Sequence, residues 1–133
     1  AIIPPLVALV RDGNDAQKRN AAFALGCLAV NDDNRIAIAI AKAGGIPPLV
    51  ALIRDGNDAQ KQSAAAALWN LAANCADNQV LIAKAGGIPP LVALVRDGND
   101  AQKESAAWAL RNLANSCADN RIAIAQAKRE AGI

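Results

Sequence analysis

Hydrophobic positions along the chain alternate between two textures. Dense short runs, Leu6–Val10, Leu49–Ile53 and Leu91–Val95, each follow Ile-Pro-Pro (3–5, 46–48 and 88–90). Proline is tolerated in a helix's first turn, where its missing N–H would be unpaired anyway, so each run reads as a short buried helix ending near Arg11, Arg54 and Arg96. Asp-Gly-Asn-Asp then interrupts the pattern at 12–15, 55–58 and 97–100. Gly13, Gly56 and Gly98 suit a left-handed helix end. Asn14, Asn57 and Asn99, with Gln17, Gln60 and Gln102 three residues on, predict capping boxes for the next helices.

Those next helices are longer, about 16–30, 59–73 and 101–115, with Ala and Leu mixed among polar residues. Their apolar side is Ala22, Leu25 and Leu28, repeated as Ala65, Leu68 and Leu71 and as Ala107, Leu110 and Leu113. A further helix is predicted from Asn34, Asn78 and Asn120, stopping at Gly44–Gly45 or Gly86–Gly87. The alternation Ile36-Ala37-Ile38-Ala39-Ile40 also permits a strand, but the repeat context favours helix. Spacing from Asn34 to Gly44 exceeds that from Asn78 to Gly86 by two residues, as if Ile40–Ala41 were inserted. Two extra helical residues rotate the downstream chain by about 200°, so the first junction is expected to hold a looped-out segment or an overlong helix.

The pattern recurs every 42 to 43 residues, a period that belongs to stacked helical solenoids, in which each unit buries its apolar face only against neighbours. Ile46–Asn78 and Ile88–Asn120 superimpose without a gap and differ at six positions. Between Ile3–Asn31 and Ile46–Asn74 the differences are Val10/Ile53, Arg19/Gln62, Asn20/Ser63, Phe23/Ala66, Gly26/Trp69, Cys27/Asn70 and Val30/Ala73. Positions 19, 20, 23, 26, 27 and 30 lie within an arc of roughly 120° on one helix. A constant scaffold with one variable stripe is the pattern of a recognition surface.

Composition narrows the function classes. Fourteen basic and twelve acidic residues leave a net charge of +2. Lys and Arg sit at equivalent repeat positions, so they read as a solvated mixed face rather than a phosphate-binding track, and no nucleic-acid partner is expected. No run of 18 apolar residues and no signal peptide are present, so no membrane partner is expected either. Histidine and tyrosine are absent, no serine stands beside a recognisable base, and the three cysteines lack ligand spacing. Catalytic residues, metal ligands and cofactors are therefore expected to be none. Cys75 and Cys117 fall at equivalent places in successive units, about 10 Å apart by helix spacing, too far for a disulfide. Free thiols predict an intracellular, cytoplasmic or nuclear protein, and Cys27 reads as a small filler.

The run Gly-Gly-Ile-Pro-Pro-Leu-Val-Ala-Leu, then Asp-Gly-Asn-Asp, then Ala-Ala-Trp-Ala-Leu-Arg-Asn-Leu-Ala at 106–114, resembles armadillo repeats over nearly the whole chain. The resemblance implies an all-α fold, a right-handed α-solenoid of stacked three-helix armadillo repeats, as a single domain over 1–133. Its frames would be about 1–33 lacking the first helix, 34–76, 77–118, and a terminal helix 119–133. In such folds the third helices line a concave groove that holds extended peptides. Trp rings form side-chain pockets there, and an Asn amide, offering both donor and acceptor, bonds the peptide backbone.

Carried over by position, the third repeat has Trp108 and Asn112, with Arg111, Asn115 and Ser105 on the stripe. An Arg beside that Asn also occurs in the beta-catenin branch of the family. The second repeat has Asn70, Trp69 and Ser63, with Ala66 where the Trp would stand, and the first has Phe23 and Cys27. The expected function is a non-enzymatic protein- or peptide-binding scaffold, in which Asn70 and Asn112 anchor a backbone and Trp69 and Trp108 clamp side chains between them. Arg19 and Arg111 against Glu104 favour no strongly charged ligand, and an import-signal receptor would need an acidic floor. The alternative is an engineered or excised repeat fragment, suggested by the near-identical units and the absence of Met, that self-associates into a homo-oligomer. In that reading no polar cap closes either end, and the terminal helix completes the first unit of another copy.

Overall fold

The computed structural model describes residues 2–30 and 34–133. Among them are nine helices: α1 (Ile3–Asp12), α2 (Asp15–Ala29), α3 (Arg35–Lys42), α4 (Ile46–Asp55), α5 (Asp58–Ala72), α6 (Ala76–Lys84), α7 (Ile88–Asp97), α8 (Asp100–Asn115) and α9 (Ala118–Ala131). Residues 36–40 are helical, so their alternating apolar pattern is not a strand. α5 packs on α2 on one side and on α8 on the other, while α1, α4 and α7 back α2, α5 and α8. The result is one continuous stack.

Local chemistry sets the boundaries. α1, α4 and α7 each begin with two prolines in the first turn. Capping boxes open α2, α5 and α8: in each the Asn Oδ1 accepts from the Gln N–H and the Gln Oε1 accepts from the Asn N–H, all at 2.9 Å. The turn glycines have a different role from the one expected. Gly13, Gly56 and Gly98 have φ of −71°, −78° and −73°, extended rather than left-handed. They are needed because a β-carbon at Gly56 would lie 2.5 Å from the Leu52 carbonyl oxygen and 2.8 Å from Gln60 Oε1. Gly132, just past α9, is left-handed with φ of 77°, and so are the two corner glycines Gly44 and Gly86, with φ of 79° and 81°. The corner glycines turn α3 into α4 through 78° and α6 into α7 through 83°.

Asn34 is not the counterpart of Asn78. Measured from the Gly-Gly corners, Ile40 matches Ile82: a β-carbon at Gly45 or Gly87 would meet its Cγ2 at 2.7 or 2.8 Å. α3 is therefore not overlong, and nothing is inserted at Ile40–Ala41. The extra length lies in residues 30–34, against 73–75 in the next unit; residues 31–33 fall outside the described part. Asn34 instead adopts φ 61° just before α3 and donates to the Asn74 carbonyl at 2.7 Å.

Asn78 and Asn120 lie inside α6 and α9, which begin two residues earlier than expected, with Cys75 and Cys117 at the N-cap. Each buried amide donates twice. Asn78 bonds the carbonyls of Leu71 (2.9 Å) and Ala37 (3.2 Å), and Asn120 bonds those of Leu113 and Gln79 (both 3.0 Å). Gln60 and Gln102 repeat the device at the other end of the third helices, donating to the carbonyls of Asp15 (3.1 Å) and Asp58 (2.9 Å). Units are thus tied by amide-to-carbonyl bonds at matching places as well as by apolar packing.

The core is continuous through the stack, with Leu25, Leu68, Leu71, Leu91 and Leu113 fully covered. Two expected core residues differ. Leu28 is half-buried and Ala107 exposed, because each lies on an end face with no described unit against it. Ala21, Ala64 and Ala106 are buried beside the expected alanines. The third helices α2 and α5 approach closely where both are small: a β-carbon on Gly26 would sit 3.2 Å from Ala67 Cα.

Candidate functional site

Variable positions of α2, α5 and α8 share one accessible face. Arg19, Asn20, Phe23 and Cys27 are exposed on α2 and Val30 just past its end, and Gln62, Ser63, Ala66, Trp69 and Asn70 are exposed or half-buried on α5, with Ala73 half-buried just past it. On α8 the accessible set is Glu104, Trp108, Arg111, Asn112 and Asn115. Cys27 is exposed rather than a buried filler, and all three cysteines are free.

Ser105 departs from its expected place in the groove: it is only 8% exposed. A long helical side chain lies over the turn N-terminal to its own Cα, so Trp108 covers the serine three residues before it. At the equivalent place on α5, Ala66 is too small to do this, and Ser63 stays half-open.

The two tryptophans do not frame a slot. Their ring centroids are 5.6 Å apart with planes 10° from parallel, a stacked pair. Inserting a side chain between two rings needs about 7 Å, two van der Waals contacts of about 3.5 Å, so the expected clamp between Trp69 and Trp108 is closed. The Arg111 guanidinium carbon lies 4.8 Å from the Trp108 ring centroid, a cation–π contact. Trp69, Trp108 and Arg111 together form a flat cationic–aromatic ledge across α5 and α8.

Beside the ledge the face dips. Where α2 and α5 carry Gly26 and Ala66, a hollow of about 60 Å³ opens, lined also by Phe23, Cys27, Ser63 and Asn70. The sequence marks this part as poorly equipped because the clamp residues are missing; their absence is what leaves the space.

Asn70 and Asn112 are partly committed. Asn70 Nδ2 donates to the Gly26 carbonyl at 3.0 Å, and Asn112 Nδ2 to the Trp69 carbonyl at 2.9 Å. Gly26 and Trp69 stand four residues from the ends of α2 and α5, among the carbonyls that a helix leaves unpaired. In α5 the other three are also met: Asn70 O by the Ala73 N–H, Leu71 O by Asn78, and Ala72 O by Gln79. Each groove Asn therefore closes the preceding unit's helix with one N–H. A primary amide retains a second N–H and its oxygen for a ligand.

Two larger hollows lie away from this face, at the seams behind the third helices. One of about 410 Å³ lies between α4 and α7, with Arg54, Asp58, Lys61, Pro89 and Asp97 in its wall, and one of about 260 Å³ repeats it between α1 and α4. Among the described residues no cluster of His, Cys, Asp or Glu could hold a metal ion, and no single helix is long and apolar enough to cross a membrane.

The Armadillo/beta-catenin-like repeat model matches residues 33–73 and 75–115. No curated protein matches the chain. Among solved structures, an engineered protein from a structural-genomics consortium shares 29% identity with a TM-score of 0.90, covering 96% of this chain and 51% of its own. A designed armadillo repeat protein in complex with the peptide (KR)4 shares 26% identity with a TM-score of 0.87, over 94% of this chain and 52% of its own. A computationally designed armadillo repeat protein for modular peptide recognition shares 28% identity with a TM-score of 0.86, over 94% and 52%. The chain spans about half the length of these structures. With the family model matched over most of two full units and the three-helix stacking described above, the chain belongs to the Armadillo/beta-catenin-like repeat family, and its fold is an all-α solenoid of armadillo repeats.

Proposed function

We propose that this chain is a non-enzymatic scaffold that binds an extended peptide or protein segment along α2, α5 and α8. One observation carries the reading: most of the third-helix positions that vary between otherwise near-identical units are accessible, and they carry a ledge and a hollow. Peptide recognition by designed armadillo proteins of the same fold supports it.

In the proposed mode a ligand side chain lies flat on Trp108 and Arg111 rather than between the two indoles, and a small side chain enters the hollow beside Phe23. Asn70 and Asn112 use their remaining N–H and oxygen on the ligand backbone, while Arg111, Asn115 and Ser63 add polar contacts. Arg19 and Arg111 outnumber Glu104 on this face, so a basic peptide such as (KR)4 is disfavoured. Self-association would use the end faces, of which the one on α8 reaches the ledge at Arg111.

Selection of extended peptides from a random display library tests the proposal. Selected peptides should change the indole fluorescence and lose about tenfold in affinity with Trp108→Ala, a loss of about 1.4 kcal/mol. Peptides that bind Trp108→Ala and Arg111→Ala variants as tightly as the parent would refute it.

A further inference from the structure

We propose that the last two turns of α9 occupy the seat that a following unit's second helix takes elsewhere in the stack, and that withdrawing them opens a docking face for a second copy of this chain. The internal junctions supply the template. Where α4 meets α7, Val50 lies at the start of the incoming helix: a β-carbon on Gly87 would be 3.4 Å from Val50 Cγ2. Val92 is the equivalent residue of α7, and it is as well covered, 1% exposed against 2% for Val50.

The cover over Val92 is α9 itself. α6 stops at Lys84, before its Gly86–Gly87 corner, whereas α9 carries Lys128 and Arg129 at the matching positions and runs on to Ala131. Ala127 and Ala131 pack against the core, and Arg96 Nη1 donates to the Ala131 carbonyl at 3.4 Å. Gln126, Lys128, Arg129 and Glu130 face outward. The last turns of α9 thus cover α7 and present a polar outer face. They are lightly held, by two half-buried alanines and one long hydrogen bond.

As a cap this cover is also incomplete. Beside it remains a hollow of about 330 Å³ whose apolar wall is Val95, Ala107, Leu110, Ala114 and Ile124, with Arg111 and Lys128 at its charged edge. The counterparts of the five apolar residues within the stack, Ile53, Ala65, Leu68, Ala72 and Ile82, are all buried.

A second copy brings the matching surface. Ile3, Leu6, Leu9 and Leu28 of α1 and α2 are identical to Ile46, Leu49, Leu52 and Leu71, which are buried against the preceding unit at 0–6% exposure. Yet Leu9 is 37% exposed and the other three half-buried. Gln17, exposed on α2, would donate to Asp100 as Gln60 does to Asp15 and Gln102 to Asp58. One mismatch exists: Ile2 stands where Gly45 and Gly87 admit no β-carbon without a contact below 3 Å. The register therefore begins at Ile3, with residue 2 swung aside. α9 of one copy followed by α1 and α2 of the next makes one three-helix unit, a heterologous contact that repeats head to tail.

The inference goes beyond the groove reading and does not depend on it. Sedimentation velocity over a concentration series tests it, comparing the full chain, a chain ending at Ala127, and Ala127→Lys, which keeps full length but unseats the cap. Both altered chains should associate at concentrations about tenfold lower than the full chain, a shift of about 1.4 kcal/mol. Adding Leu9→Lys should return them to monomers. If the shortened chain loses helix by circular dichroism, Ala127→Lys decides the matter. Monomeric behaviour of the uncapped chains, or association indifferent to Leu9→Lys, would overturn the proposal.

Discussion

At the scale of single residues, amide side chains do work that their positions alone do not disclose. Asn112 stands where a peptide clamp is expected, but one of its N–H groups completes the end of α5. Asn112→Ala should therefore cost about 1–3 kcal/mol of stability, the penalty for leaving the Trp69 carbonyl unpartnered, measurable by urea unfolding. Loss of binding in that variant is ambiguous, whereas Trp108, 40% exposed, and Arg111 can be removed with less damage to the stack. Gly56→Ala should cost about 1–3 kcal/mol through overpacking against Leu52 and Gln60, although its φ is one that alanine adopts freely. A refolding study that found this variant as stable as the parent would contradict the close approach.

Asp97 titrates below the usual carboxylate range, chiefly because the Arg96 side chain hydrogen-bonds it. A depressed folded value contributes stability present above the ordinary carboxylate pKa and lost as pH falls through the depressed one. The pair lies at the surface, where solvent screens it, so the readout is the titration itself. Arg96→Ala should bring Asp97 back toward the ordinary range by carboxyl-resolved NMR.

At the scale of elements, equivalent helices are not energetically equivalent. Leu71 is fully covered between α2 and α8, while its counterpart Leu28 is half-buried on an end face. Leu71→Ala should cost about 2–5 kcal/mol, as cavity-forming core substitutions do, and Leu28→Ala clearly less. Equal losses in chemical unfolding would mean that the end units are packed as the inner one is. Element boundaries are legible in the sequence where the chemistry is local: prolines in the first turn, the Asn–Gln capping boxes and the Gly-Gly corners. They are illegible where two unlike positions carry the same residue. Asn34 and Asn78 look equivalent, but one takes left-handed φ before a helix and the other is buried inside one. Equating them implies an insertion within α3 that the structure does not contain, the extra length lying before that helix. The length of α9 is hidden for a related reason: it overruns the place of the Gly-Gly corner and stops only at Gly132, whose φ of 77° is like that of a corner glycine.

At the scale of the whole molecule, constancy and variation separate in space. Most residues repeated without change build turns and the stacked core, and most of those that vary along the third helices are accessible. Asn70, Asn112 and Gln79, which close carbonyls of α2 and α5, are not repeated in every unit. The location of the accessible face is expected from helical periodicity, and the residues named for it are accessible apart from Ser105. Its relief does not, because ring stacking and helix approach depend on neighbours about 40 residues away in the chain. Trp69 on Trp108 turns an expected slot into a ledge, and Gly26 with Ala66 turns an expected gap into a hollow. Binding along this face is best tested by an NMR titration of the chain with peptides selected from the random library, followed at the indole N–H groups of Trp69 and Trp108 and at backbone amides. Shifts should concentrate at Trp69, Trp108, Arg111, Asn115 and the Phe23 hollow. Shifts confined to the α4–α7 seam around Arg54, Pro89 and Asp97, with both indole signals unmoved, would contradict the proposed groove.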